Sequence, residues 1–217
     1  MNWKFWKKHY APLPKKNLNE IKNACRVLFI DNEKFKTVDR LRLNDGWRNT
    51  EWIKDVESFD QPEIVNAHVI FIDIQGVGKK LCPNDEGLGL IIAIKERYPD
   101  KKVIMYSAEK QGKIDGLHKA ADIVDGRLRK TADHYEFQKK LEKMAQETFC
   151  LEYYTSRIQK ILLNEFGINM AAEDIEQNIV KIVSAKDKNK AIAEYFNISN
   201  ISDIAQIIQL FLTVNAG

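Results

Sequence analysis

The chain has 217 residues, 44% of them hydrophobic and 30% charged, a composition that excludes a disordered or collagen-like polymer. No apolar run approaches the ~20 residues of a membrane-spanning helix, and no apolar core follows the basic N-terminus, which argues against a secretory signal. Three cysteines (Cys25, Cys82, Cys150) at distant spacings make neither a disulfide framework nor a zinc pattern, so a reducing, cytoplasmic setting is expected.

The net charge of +3 is unevenly spread. Residues 1–16 hold five lysines and no acid, residues 17–147 are neutral, and residues 148–217 sum to −2. Basicity therefore sits in a short tail and not across a folded face, as a nucleic-acid reader needs. The tail, NWKFWKKHY, interleaves Trp3, Phe5, Trp6 and Tyr10 with lysines. A tail packed across the domain by its aromatics is favoured over an interfacial membrane anchor, which needs a longer apolar face.

Strand-like and helix-like segments then alternate. RVLFI (26–30) is an apolar run ending in Asp31, and residues 33–43 suit a helix. TEWIKDV (50–56) alternates like a second strand, and HVIFIDI (68–74) is another apolar run carrying an acid, Asp73. GLGLIIAIKERY (87–98) has helical apolar spacing stopped by Pro99. VIMY (103–106) ends at Ser107, residues 121–124 and 127–129 suggest a weaker last strand, and residues 133–145 an amphipathic helix. Apolar strands separated by helices imply an α/β fold, a five-stranded parallel doubly wound sheet covered on both faces. In such sheets ligands gather at the carboxyl ends of the strands, where Asp31, Asp73, Ser107 and Lys130 all fall.

From about residue 148 the pattern is helical only: 151–166, 171–184, 188–196 and 202–214, the last with Ser202 as its N-cap. The expected organisation is a basic, aromatic N-terminal segment (1–23), an α/β domain (24–147) and a small all-helical domain (148–217). Ile204, Ile207, Ile208, Phe211 and Leu212 form an apolar stripe expected to pack mainly on Ile158, Leu162 and Phe166. The last helix carries one acid and no base, so this region suits a protein partner or a homodimer and not DNA.

RVLFIDNE, FIDI, VIMYSA and LRKTAD, in that order, resemble the receiver domain of bacterial two-component response regulators over residues ~24–147. The resemblance implies a flavodoxin-like fold and a phosphorelay protein in signal transduction. Asp73 would be the phosphoacceptor, with Ser107 and Lys130 assisting at the phosphoryl group. It also implies Mg²⁺, held by Asp31, Asp73 and the Gln75 backbone carbonyl, with Asn32 and Glu33 as further candidates. A histidine kinase or phosphotransfer protein is the expected donor. The chemistry is coherent, because a carboxylate attacks a dianionic phosphoryl group only when cations screen the charge.

Four departures stand out. Asn32 replaces the second acid of the family's acidic pair, which should weaken metal binding. The loop after Asp73 (IQGVGKKLCPND) is long, lacks the usual proline and carries Lys79 and Lys80. Thr131 stands where the family has proline, and Arg127 where it has an aromatic residue. A pseudo-receiver that only binds partners is the first alternative. A Mg²⁺-dependent phosphohydrolase is the second, because DNE at 31–33 loosely resembles the haloacid-dehalogenase motif; that family, however, has Asp in place of Glu33 and usually Gly in place of Lys34. GVGKK (76–80) fails as a phosphate loop, having Asp73 and Lys80 where Gly and Ser/Thr are required, and Leu81 breaks a dinucleotide reading.

Overall fold

The computed structural model describes residues 17–108 and 119–213, the last four of them as backbone. The basic, aromatic run 1–16 and the side chains of Phe211 and Leu212 lie outside the described residues. Two compact units divide at residues 148/149.

The first unit opens with α1 (Leu18–Ala24). Its start is a capping box: Asn17 Oδ1 accepts the Glu20 N–H at 3.0 Å, and the Glu20 carboxylate accepts the Asn17 N–H at 2.9 Å. There follow β1 (Val27–Ile30), α2 (Lys36–Leu43), β2 (Thr50–Ile53), α3 (Pro62–Asn66) and β3 (Val69–Asp73). Then come α4 (Glu86–Arg97), β4 (Lys102–Ser107), α5 (Lys119–Ile123), β5 (Gly126–Arg129) and α6 (His134–Thr148). All strands are parallel, in the order β2-β1-β3-β4-β5. That is the flavodoxin-like order, whose switch point lies between β1 and β3.

Burial explains the strand sequences. Every residue of β1 and β3 is buried, because helices cover both faces and leave no side for polar alternation. On one face Leu28, Ile30, Ile70, Ile72, Val103 and Met105 pack with Ile64, Leu90, Ile91 and Ile94. On the other, Phe29 stacks on Phe71 at 4.4 Å between ring centres, and Phe35, Tyr106 and Phe137 close round them. This aromatic face meets the acids at the strand ends.

Three local expectations change. Residues 119–123 are helical, since Lys-Ala-Ala-Asp-Ile favours a helix, and β5 begins only at Gly126. The Asp125 carboxylate accepts the Val103 N–H at 2.8 Å and fixes the turn between them. The second strand stops at Ile53, where the chain bends away. Two short helices, α1 and α3, were not anticipated, although Asn17–Glu20 and Pro62 at the start of α3 are recognisable start signals.

The second unit consists, among the described residues, of α7 (Leu151–Phe166), α8 (Ala172–Ser184), α9 (Lys188–Phe196) and α10 (Ser202–Thr213). Gly167, at φ +65°, ends α7 in the left-handed region that a side chain resists. Asp187 caps α9 by accepting the Lys190 N–H at 3.0 Å. The α7 helix packs against α8 and α10, and α8 against α9. Ile158, Leu162, Ile175, Ile179, Ile182, Ile204, Ile207 and Ile208 form its core. Ser202 is the first helical residue and not the cap; the Asn200 carboxamide oxygen accepts its N–H at 3.2 Å. No helix among the described residues is long and apolar enough to cross a membrane.

Candidate functional site

Asp31 directly follows β1 and Asp73 ends β3, so the strands at the switch deliver two carboxylates side by side. Both are buried, at 0% and 3% exposure. Ser107 ends β4 and is buried as well. Its carbonyl accepts the Lys130 N–H at 2.7 Å, which fastens the residue after β5 to the end of β4. From that anchor the Lys130 ammonium reaches across β4 and donates to Asp73 Oδ2 at 2.7 Å and Asp31 Oδ1 at 3.0 Å. Three of the residues singled out in the sequence thus meet directly.

The electrostatics follow from two buried anions sharing one cation. Burial pushes the Asp73 carboxyl above its ordinary value, with Asp31 adding to the rise. The hydrogen bond and charge of Lys130 act the other way and do not cancel it. For Lys130, burial lowers the ammonium, but bonds to Asp73 and Asp31 outweigh that and hold it above its usual value. The pair of acids keeps an excess of negative charge, which suits a site that receives a further cation.

Asp31 is the most heavily engaged group. Its Oδ1 also accepts the Glu33 N–H at 2.9 Å, and its Oδ2 accepts the Tyr106 hydroxyl at 2.8 Å. The indole of Trp52 donates to its carbonyl at 3.0 Å. Tyr106 was not singled out from the sequence. Its register partner is Asp73, it is fully buried, and burial together with Asp31 pushes its hydroxyl far above the ordinary phenol range, so it stays a donor. A signal existed: a buried tyrosine requires a hydrogen-bond partner, and this one adjoins Ser107.

The remaining candidates lie at the rim. Asn32 is exposed, and its carboxamide is so close to Gly76 that a β-carbon there would stand 2.7 Å from Asn32 Nδ2. Position 32 therefore faces the loop after Asp73. Glu33 and Gln75 are exposed, and the Gln75 N–H points to Asp73 Oδ1 at 3.4 Å. Among the described residues no group of three or more His, Cys, Asp or Glu side chains is placed to hold a metal. Mg²⁺ nevertheless commonly uses one or two carboxylates with water, so Asp31, Asp73 and a loop carbonyl fit it as a donor set.

The loop after Asp73 is pinned by carboxylates. Glu86 accepts the Gly76 N–H at 2.6 Å, and Asp55 accepts the Gly78 N–H. Gly76 and Gly78 adopt φ of +80° and +75°. Lys79 and Lys80 are exposed and pair with Glu86 and Glu57, so they serve the solvated rim and not the acids. Arg127 is half-buried and donates to the Ala121 carbonyl.

The strand order 2-1-3-4-5 is the flavodoxin-like doubly wound order, with Asp31 after β1 and Asp73 at the end of β3, on either side of its switch point. No family model and no curated protein matches the chain. Among solved structures it is similar to a response regulator from Thermotoga maritima, with 20% identity over 56% of this chain and 97% of that one, at a TM-score of 0.42. A CheY-like receiver domain protein from Methanospirillum hungatei shows 17% identity over 57% and 95%, at 0.43. RcsB from Salmonella enterica serovar Typhimurium, bound to a promoter with a phosphomimetic, shows 18% over 88% and 91%, at 0.47.

Proposed function

We propose that residues 17–148 are a phosphoacceptor receiver in which Asp73 takes a phosphoryl group from a histidine kinase or phosphotransfer protein. The observation that carries this reading is the Lys130 ammonium, 2.7 Å from Asp73 and 3.0 Å from Asp31 at the switch point. In the transfer, an Asp73 oxygen bonds to phosphorus as the bond from phosphorus to the donor imidazole nitrogen breaks. The imidazole keeps the electron pair and takes up a proton. Phosphoryl transfer asks the protein mainly for position and charge. Lys130 faces the charge that arrives on Asp73, and Ser107, one residue beyond Asp73's register partner, is the neutral donor nearby. Mg²⁺ held by Asp31, Asp73 and the Gln75 carbonyl, with Asn32 and Glu33 beside it, would supply screening of the phosphoryl oxygens.

For the output we propose a protein partner or a second copy meeting the helices of residues 149–213, and not DNA. The charge of −2 over residues 148–217 supports this, since DNA affinity comes largely from Lys and Arg at phosphates. A second reading, a pseudo-receiver, is favoured by one observation: both Asp31 oxygens already accept hydrogen bonds.

Intact-mass spectrometry after incubation with Mg²⁺ and a small acyl phosphate tests the acceptor. The wild type should gain one phosphate and Asp73→Asn none. An unmodified wild type under these conditions selects the pseudo-receiver.

A further inference from the structure

The Tyr106 hydroxyl occupies the oxygen of Asp31 that neither Lys130 nor the Glu33 N–H uses. It donates to Oδ2 at 2.8 Å, while Oδ1 takes the other two donors at 3.0 and 2.9 Å. The tyrosine cannot turn away. Its side chain is fully buried, with Phe29, Phe35 and Phe137 at ring-centre distances of 6.3, 5.6 and 5.8 Å. A phenol enclosed by phenylalanines finds no water, so its bond to Asp31 is kept or lost outright. A cation approaching Oδ2 must share that oxygen with the hydroxyl, or displace it and leave a buried donor unpaired.

We infer that Tyr106 competes with a divalent cation for the Asp31 carboxylate and so sets the metal affinity of this site from within the core. The inference rests on the metal-assisted reading above. The competition is built into the fold: Tyr106 is in register with Asp73 on the adjacent strand, and its ring belongs to the aromatic layer that holds α6 to the sheet. Without metal, both Asp31 oxygens already accept hydrogen bonds, Oδ1 from Lys130 and the Glu33 N–H and Oδ2 from Tyr106. A cation therefore shares or replaces an existing bond and does not fill an empty cradle.

Calorimetric titration of the full chain with Mg²⁺ tests this on wild type, Tyr106→Phe and Tyr106→Met. Both substitutions keep an apolar body of similar size and remove the donor. Each should bind Mg²⁺ about tenfold more tightly than wild type, the equivalent of one lost hydrogen bond to a charged group. Melting curves identify the folded variants, and either one suffices. Equal or weaker binding by a folded variant overturns the inference, as does absence of Mg²⁺ binding in all three proteins. Phosphate gain, followed by mass on the same samples, judges the acceptor reading separately. Tighter binding with no phosphate on any protein overturns that reading alone.

Discussion

Lys130 and Asp73, 57 positions apart, meet through a 2.7 Å hydrogen bond between ammonium and carboxylate. The bond is made at the end of a lever, because the Lys130 backbone is tied to Ser107 on one strand while its side chain crosses to the next. Lys130→Ala removes the countercharge of two buried acids. Breaking a fully buried pair costs about 3–5 kcal/mol, and with 23% of the Lys130 side chain exposed a loss of about 2–3 kcal/mol is expected. Urea denaturation at neutral pH checks it, and the same variant should gain phosphate on Asp73 more slowly. Ser107→Ala should slow phosphate gain more mildly, since one neutral hydrogen bond to a phosphoryl oxygen contributes only about 0.5–1.5 kcal/mol.

The pH dependence of Asp73 has a definite sign. Its folded carboxyl titrates above the ordinary value, chiefly because it is buried. Folding therefore favours the protonated form. That contribution is fully present below the unfolded value of about 3.9 and is lost as pH rises through the folded value. Asp73→Asn removes the titration. At pH 7 the variant should melt above wild type, and the gap should close toward pH 4. A gap that is constant with pH would show that Asp73 carries no such penalty.

Asn32 faces the loop after Asp73, with its carboxamide against Gly76. Asn32→Asp places a charged oxygen where a neutral one stands, beside the proposed cation. Mg²⁺ should bind about tenfold more tightly, equivalent to about 1.4 kcal/mol. Titration showing no gain would mean that position 32 does not reach the ion.

Gly87 is the point where α4 presses on the site. A β-carbon there would lie 2.1 Å from the Asp73 carbonyl oxygen and 2.7 Å from Ile74 Cα. Alanine normally favours a helix over glycine by about 1 kcal/mol, but here backbone must move to admit it. Overpacking of that kind costs about 1–3 kcal/mol, so Gly87→Ala should destabilise the domain and slow phosphate gain together. A variant as stable as wild type would contradict the close approach.

For the helical unit, light scattering of the full chain with and without a phosphate mimic should show a dimer or a shift toward one. A chain that remains monomeric at high concentration removes the dimer reading. Salt-sensitive retention on DNA would overturn the exclusion of DNA.

The acids and the lysine were legible because strand ends are legible. An apolar run buried on both faces announces itself, and in a doubly wound sheet the next polar residue falls at the ligand-binding edge, as Asp31 and Asp73 do. The capping box at Asn17–Glu20 was equally present in the sequence, since a cap is local chemistry between neighbours. Tyr106 was legible only as a buried tyrosine in need of some hydrogen-bond partner, not as a residue of this site. Within VIMYS it is one more large apolar strand position, and only the register of β4 on β3 sets its hydroxyl against an acid 75 positions away. The loop lysines are a second case: the sequence already excludes GVGKK as a phosphate loop, but only the fold shows Glu86 and Glu57 pairing with Lys79 and Lys80 at the rim. Periodicity and turn chemistry act over a few residues, so sequence alone determined the elements and the acids at their ends. Which donor each acid receives depends on atoms brought within 3 Å by packing, and only the tertiary structure decided that.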